Sequence, residues 1–159
     1  MWLPTSFTAS GTDQTVDSTL DVLTLAPGTY GTLATSQQNQ TVTLSSGDYF
    51  FDEITVQGGF TLQIDLTSGT PINLYALYDL DFNAQGITLE VMGAGTGGAF
   101  VPISNAPALA GLIYMETLGD FNLGGENAWG GTIYASLGDV NIGQYIDWYG
   151  AAYAFDSVD

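Results

Sequence analysis

Leu118-Gly-Asp-Phe-Asn-Leu-Gly-Gly-Glu-Asn-Ala-Trp-Gly-Gly-Thr-Ile-Tyr-Ala-Ser136 is followed without a break by Leu137-Gly-Asp-Val-Asn-Ile-Gly-Gln-Tyr-Ile-Asp-Trp-Tyr-Gly-Ala-Ala-Tyr-Ala-Phe155. At a step of nineteen residues, nine positions of the two stretches are identical. They are Leu118/Leu137, Gly119/Gly138, Asp120/Asp139, Asn122/Asn141, Gly124/Gly143, Trp129/Trp148, Gly131/Gly150, Tyr134/Tyr153 and Ala135/Ala154. Short segments of period two, such as Phe121-Asn-Leu and Thr132-Ile-Tyr-Ala, are separated by glycines, and no helical period competes with them. A repeat of this length predicts an all-β fold: a single-stranded parallel β-solenoid of roughly 19 residues per turn. Successive turns lie about 4.8 Å apart, so equivalent residues stack. Trp129 over Trp148 and Tyr134 over Tyr153 are expected to form aromatic ladders, and Asn122 over Asn141 an amide ladder.

The same reading extends towards the N-terminus. Leu23-Thr-Leu-Ala-Pro-Gly-Thr-Tyr30 echoes in Val42-Thr-Leu-Ser-Ser-Gly-Asp-Tyr49, with Gly28 and Gly47 again nineteen apart. Further short strands are expected at Phe60–Ile64, Ile72–Tyr78, Leu80–Phe82 and Ile87–Val91. The segment 93–108, rich in Gly, Ala and Pro, reads as a loop bulging from one turn. Residues 1–19 read as a linker, a cap, or an N-terminal arm whose Trp2-Leu3-Pro4 docks on a neighbour, leaving 20–159 as the solenoid domain.

Composition removes most chemistry. The 159 residues include no Lys, Arg, His or Cys, so the seventeen acids stand unopposed at a formal charge of −17. Yet 45% of residues are hydrophobic and 13% aromatic, which is a folded composition rather than an acidic tail. No imidazole, amine or thiolate exists to act as base, Schiff-base former or nucleophile, and no soft ligand exists for zinc. The chain is therefore read as non-enzymatic. A glycosidase carboxylate pair is the surviving catalytic alternative, but no acidic pair sits in a recognisable motif. A polyanion gains nothing by binding a protein without cations, so nucleic acid is not an expected partner. No apolar run approaches a membrane span, the longest being Ala106–Met115. The start lacks a basic n-region and an apolar core, so the chain reads as a mature or excised segment. Absence of every trypsin site and every amine for cross-linking points to an extracellular or cell-surface location.

Leu25-Ala-Pro-Gly-Thr-Tyr30, Leu44-Ser-Ser-Gly-Asp-Tyr-Phe-Phe-Asp52, Ile72-Asn-Leu-Tyr75, Leu80-Asp-Phe82 and the Trp129 and Trp148 segments carry a resemblance. The chain resembles the acidic parallel β-solenoid domains of secreted and surface bacterial proteins, including the pilus-assembly-associated type, over most of residues 20–155. More distantly it is similar to ice-binding-like surface domains, without a segment for their long flanking helix. The resemblance implies a fold and little about activity.

Each marked residue has a plain reading and a functional one. The rings of Trp129, Trp148, Tyr134 and Tyr153 read as core or corner packing before they read as a sugar-binding strip. Tyr75, Tyr78, Tyr145 and Tyr149 suit an exposed strip better. Asp120 stacked over Asp139 puts two like charges on the order of 5 Å apart, a repulsion of about 1 kcal/mol in water. A bound cation such as calcium, a shared proton or outward splaying would relieve it. Asp48, Asp52 and Glu53 form a second acidic group. No other cofactor is expected.

The last turn keeps the repeat pattern up to Phe155 and shows no polar cap or helix. An open end of this kind accepts a second copy, and head-to-tail addition gives a filament. The expected function is thus a structural protein that self-assembles into a filament or surface layer, with itself as main partner. The alternative is an adhesin or binding module for polysaccharide, protein or ice. Its threonines, Thr41, Thr43, Thr55 and Thr61, are not spaced regularly enough for an ice-binding face.

Overall fold

In the computed structural model of the chain, residues 11–17, 22–125 and 128–158 are described. The chain runs repeatedly round three sheets. A first circuit lays down β1 (Gln14–Val16), β2 (Val22–Leu25) and β3 (Gly28–Thr29), and a second β4 (Leu33–Thr35), β5 (Thr41–Ser45) and β6 (Gly47–Phe51). The third gives β7 (Ile54–Thr55), β8 (Thr61–Asp65) and β9 (Ile72–Ala76), and the fourth begins with β10 (Leu80–Phe82) and β11 (Thr88–Met92). After β12 (Val101–Pro102) and two 3-10 segments come β13 (Ile113–Thr117), β14 (Phe121–Leu123), β15 (Ala128–Ala135), β16 (Val140–Ile142) and β17 (Asp147–Ala154). The first sheet has the order β1-β4-β7-β10-β14-β16, the second β12-β11-β8-β5-β2, and the third β17-β15-β13-β9-β6-β3. The pairings are parallel except that of β11 with β12.

Alternation decides which side chains go inside. In β5, β8 and β11 the buried residues are Val42 and Leu44, Leu62 and Ile64, and Leu89 and Val91, each set in register across the sheet. Leu33, Ile54, Leu80, Phe121 and Val140 make the same kind of column in the first sheet. The columns of the three sheets meet in one apolar core. Burying each such aliphatic side chain is worth about 1.5–3 kcal/mol against leaving it in water. In β5, β8 and β11 the outward positions between them, Thr43, Gln63 and Glu90, are polar, as expected for a sheet with one face in solvent.

The step from circuit to circuit is not uniform. Gln14 pairs with Leu33 and Phe121 with Val140, nineteen residues on in each case. Leu33 pairs with Ile54, twenty-one on, and Leu80 with Phe121, forty-one on. Steps of nineteen join β1 to β4, β2 to β5, β14 to β16 and β15 to β17, and steps of other lengths join the remaining parallel pairs, so the expected turn of about nineteen residues does not hold through the fold. Gly28 and Gly47 are not partners either: Gly28 faces Tyr49. The ring of Pro27 fills the space that a Cβ on Gly47 would enter, at 2.5 Å, and Gly47 has φ of 135°, a conformation open to glycine. The two extra residues let Tyr49 turn inward, where its hydroxyl donates to the Leu25 carbonyl and accepts the Ser45 N–H, each at 3.0 Å.

Two boundaries differ from expectation. Gln14–Val16, inside the stretch read as an arm or linker, is a strand of the first sheet, and Val16 is fully buried. Trp2, Leu3 and Pro4 lie outside the described residues. The segment read as a loop at 93–108 carries a short strand and 3-10 structure and leads into β13. Val101–Pro102 runs antiparallel to β11, and the 3-10 segments Ile103–Asn105 and Pro107–Leu112 follow. Ile103, Leu109 and Ala110 are buried, and a Cβ on Gly130 would lie 2.9 Å from Ile103 and 3.0 Å from Ala110. The insertion thus docks its apolar residues on β15 and ends the second sheet. Among the described residues, the circuits of β14–β15 and β16–β17 place no strand there.

Candidate functional site

The two C-terminal circuits carry the residues marked by the repeat. Trp129 pairs with Trp148, Gly131 with Gly150, Tyr134 with Tyr153 and Ala135 with Ala154, so the nineteen-residue step is the register itself. Asn122 pairs with Asn141, and the Asn141 amide donates to the Asn122 side-chain oxygen at 2.9 Å. The two indoles interleave with phenylalanines: Trp129 lies 5.1 Å from Phe82 and 6.4 Å from Phe121, and Trp148 meets Phe121 edge-on at 6.3 Å. Trp129 is fully buried, whereas Tyr153 stands exposed on the outer face of the third sheet. Trp129 is core, Trp148 packs half-buried against the core, and the tyrosines belong to the outer surface of the same strands. This division follows from alternation, since Trp129 and Tyr134 fall on opposite sides of a strand twisted at Gly131 (φ 128°).

The aspartates found by the repeat are corner posts. Asp79 Oδ1 accepts the backbone N–H of Asp120 at 2.8 Å, Asp120 Oδ1 that of Asp139 at 2.9 Å, and Asp139 Oδ1 that of Ser157 at 2.9 Å. Asp13 does the same for Thr32 in the first circuits, at 2.9 Å. Each carboxylate is thus held by the backbone of the next circuit, a charge-assisted bond of the stronger kind. The glycine before the donor makes room for it, because a Cβ on Gly31, Gly119 or Gly138 would collide with the carboxylate of Asp13, Asp79 or Asp120. Leu-Gly-Asp therefore encodes a corner in which Gly admits one carboxylate and Asp supplies the next. Asp48 accepts from Asn73 at 2.7 Å and Glu53 from Thr55 at 3.0 Å. Among the described residues no group of three or more His, Cys, Asp and Glu side chains could hold a metal ion.

Sequence reasoning found only the Tyr134–Tyr153 end of the row on the outer face of the third sheet. Phe50, Tyr75, Glu116, Tyr134 and Tyr153 follow one another in register along it. Phe50 stacks on Tyr75 at 5.0 Å, and the Tyr114 hydroxyl donates to Glu116 at 2.7 Å. Tyr75 and Glu116 are buried although they point away from the core. Beyond Tyr134 and Tyr153, the signal was the alignment of Leu74-Tyr75 with Met115-Glu116, which the forty-one-residue step conceals. Burial pushes the Tyr114 hydroxyl well above the usual phenol range, and the Glu116 carboxylate pushes it further. Burial, then Asp48 and Glu116, raise Tyr75, and burial raises Tyr49.

These tyrosines titrate at a higher pH folded than unfolded. The unfolded chain therefore gives up its protons first, and stability present below about pH 10 is lost as pH rises further. Denaturant midpoints measured from about pH 8 to about pH 11 should fall. The fall should be shallower in Tyr114→Phe but not abolished, because Tyr49 and Tyr75 still contribute.

The strand β17 pairs with β15 alone and forms the edge of the third sheet. Ile133 and Ala135 of β15 are fully buried beneath their partners Ala152 and Ala154, whereas Trp148, Ala152 and Ala154 are only half-buried. Near this edge Leu137, Tyr153, Phe155 and Val158 are more than half exposed. Of the tyrosines expected in an exposed strip, Tyr78 and Tyr145 are exposed, Tyr149 is half-buried and Tyr75 is buried. No family model matches the chain, and no curated protein and no solved structure matches it.

Proposed function

We propose that the chain is a non-enzymatic structural protein of the cell exterior, a three-faced parallel β-solenoid whose copies stack end to end into a filament or surface layer. The turn is about nineteen residues where it is regular, and the resemblance to acidic solenoid domains of bacterial surface proteins belongs to this reading. The observation that carries it is the edge at β17. Eight residues of this strand continue the register of β15, with Trp148, Ala152 and Ala154 covered on one side only. A further strand laid on β17 would bury them as β17 buries Ile133 and Ala135. Every strand of the third sheet runs the same way, and β3 lies at its opposite edge. A second copy added by translation keeps that polarity, and such addition does not close on itself.

Charge opposes the contact. Each copy brings a formal −17, and the last circuits contribute Asp139, Asp147 and Asp156. Repulsion of this kind is screened over a Debye length of roughly 8–10 Å at physiological ionic strength. Assembly should therefore be weak at low salt and grow with salt or millimolar calcium, the divalent ion acting as counter-ion between copies. Electron microscopy of the purified chain at low salt, high salt and with calcium checks this. Filaments one subunit wide at high salt or with calcium support the proposal. Single particles under all three conditions contradict it.

A further inference from the structure

Where the second sheet runs out, the corner beyond β10, β14 and β16 opens into a row of three grooves. The first, about 200 Å³, is lined by Asn83, Asn122, Asn141 and Ile142. The second, about 180 Å³, is lined by Gln85, Gly125, Gln144 and Tyr145. The third and largest, about 500 Å³, lies between β11, the insertion and the last circuits, with Thr88, Pro102, Ser104, Ala128, Tyr145 and Asp147 along it. Gly143 and Gln144, adjacent in the chain, carry the first groove into the second, and Tyr145 lines both the second and the third.

Tyr145 is unusual in two respects. It is 84% exposed, and its φ is 61°, a left-handed conformation that costs a bulky side chain on the order of 1–2 kcal/mol. The ring recovers none of that cost by burial. Its packing does not explain its presence, and its place at the junction of two grooves offers a reason.

We propose that this row of grooves binds an uncharged polysaccharide, with Tyr145 as the stacking platform. Most of the polar lining is neutral and hydrogen-bonding. Asn83, Asn122, Asn141, Gln85 and Gln144 each offer both donors and acceptors, and Thr88 and Ser104 add hydroxyls. Among the described residues, Asp147 is the one carboxylate lining the three grooves. Sugar hydroxyls need this mixture of donors and acceptors, and the apolar face of a sugar ring rests on an exposed aromatic. A polyanion is disfavoured, because the protein carries no cation to meet it. Three grooves in a row suit a chain of sugars rather than one ring. The site lies on a corner of the coil and does not depend on copies stacking.

Native affinity electrophoresis at low salt tests the proposal, with gels containing a neutral β-glucan, α-glucan, mannan, galactan or xylan, and alginate as the anionic control. At least one neutral polymer should retard the chain, and alginate should not. Tyr145→Gly, which accepts the left-handed backbone and keeps the fold by circular dichroism, should weaken the apparent affinity about tenfold. Tyr153→Ala, on the outer face of the third sheet, should leave it unchanged. Mobility unaffected by every neutral polymer overturns the proposal, as does retardation that survives Tyr145→Gly.

Discussion

Gly138→Ala should destabilise the protein by about 3 kcal/mol, at the upper end of what one added methyl costs in a packed structure. A Cβ at this position would lie 2.6 Å from the Gly119 carbonyl oxygen and 2.7 Å from its carbon, and would also meet the Asp120 carboxylate. The first two are backbone atoms of the neighbouring circuit and cannot swing aside. The circuits must separate at the corner, and the bond from the Asp139 N–H to Asp120 is lost with that movement. Gly111→Ala is the control, since a Cβ there meets nothing within 4 Å. It should change stability by no more than about 0.5 kcal/mol. Chemical denaturation of both variants checks the contrast, and equal effects would remove the corner mechanism.

Trp129→Ala should cost about 3–5 kcal/mol, the usual range for emptying a large aromatic site in a core. The indole is fully buried between Phe82 and Phe121, and it joins the first sheet to the third. Its ring N–H is buried without a hydrogen-bond partner, so part of its packing energy offsets an unmet donor. Trp129→Phe removes the donor and keeps most of the ring. It should therefore lose less than half of what Trp129→Ala loses. A Phe variant as unstable as the Ala variant would mean that the indole's shape, and not its apolar area, holds the site.

The C-terminal third was legible because its two circuits have equal length. Equal length turns register into identity, and Asn122/Asn141, Trp129/Trp148 and Ala135/Ala154 are structural partners. Leu80–Phe82 was read to its ends for the same alternation that places Leu80 and Phe82 inside and Asp81 outside. What stayed hidden lies at the corners. Lengthening a surface connection costs little free energy, so the parallel sheets tolerate steps of twenty-one or forty-one residues that no fixed period reveals. Gly28 and Gly47 match in sequence, yet Gly28 faces Tyr49. The stacked aspartates suggested repulsion, and the relief came from backbone N–H groups that sequence spacing alone could not place opposite them. Tyr145 was visible as an exposed ring, while the largest groove beside it is walled in part by Pro102 and Ser104 of the insertion, which no sequence spacing placed there.

End-to-end stacking on β17 is tested most directly by sedimentation velocity at high salt on the wild-type chain and on Ala152→Pro. The Phe155 N–H bonds to the Ala135 carbonyl at 3.0 Å, so alternate residues, Ala152 and Ala154, direct their N–H groups away from β15. Proline at 152 spares the bonds to β15 and removes a donor from the open edge. Wild type sedimenting as a ladder of growing species, with Ala152→Pro remaining a folded monomer, is the result the account predicts. Assembly of both chains to the same extent, or of neither, would contradict it.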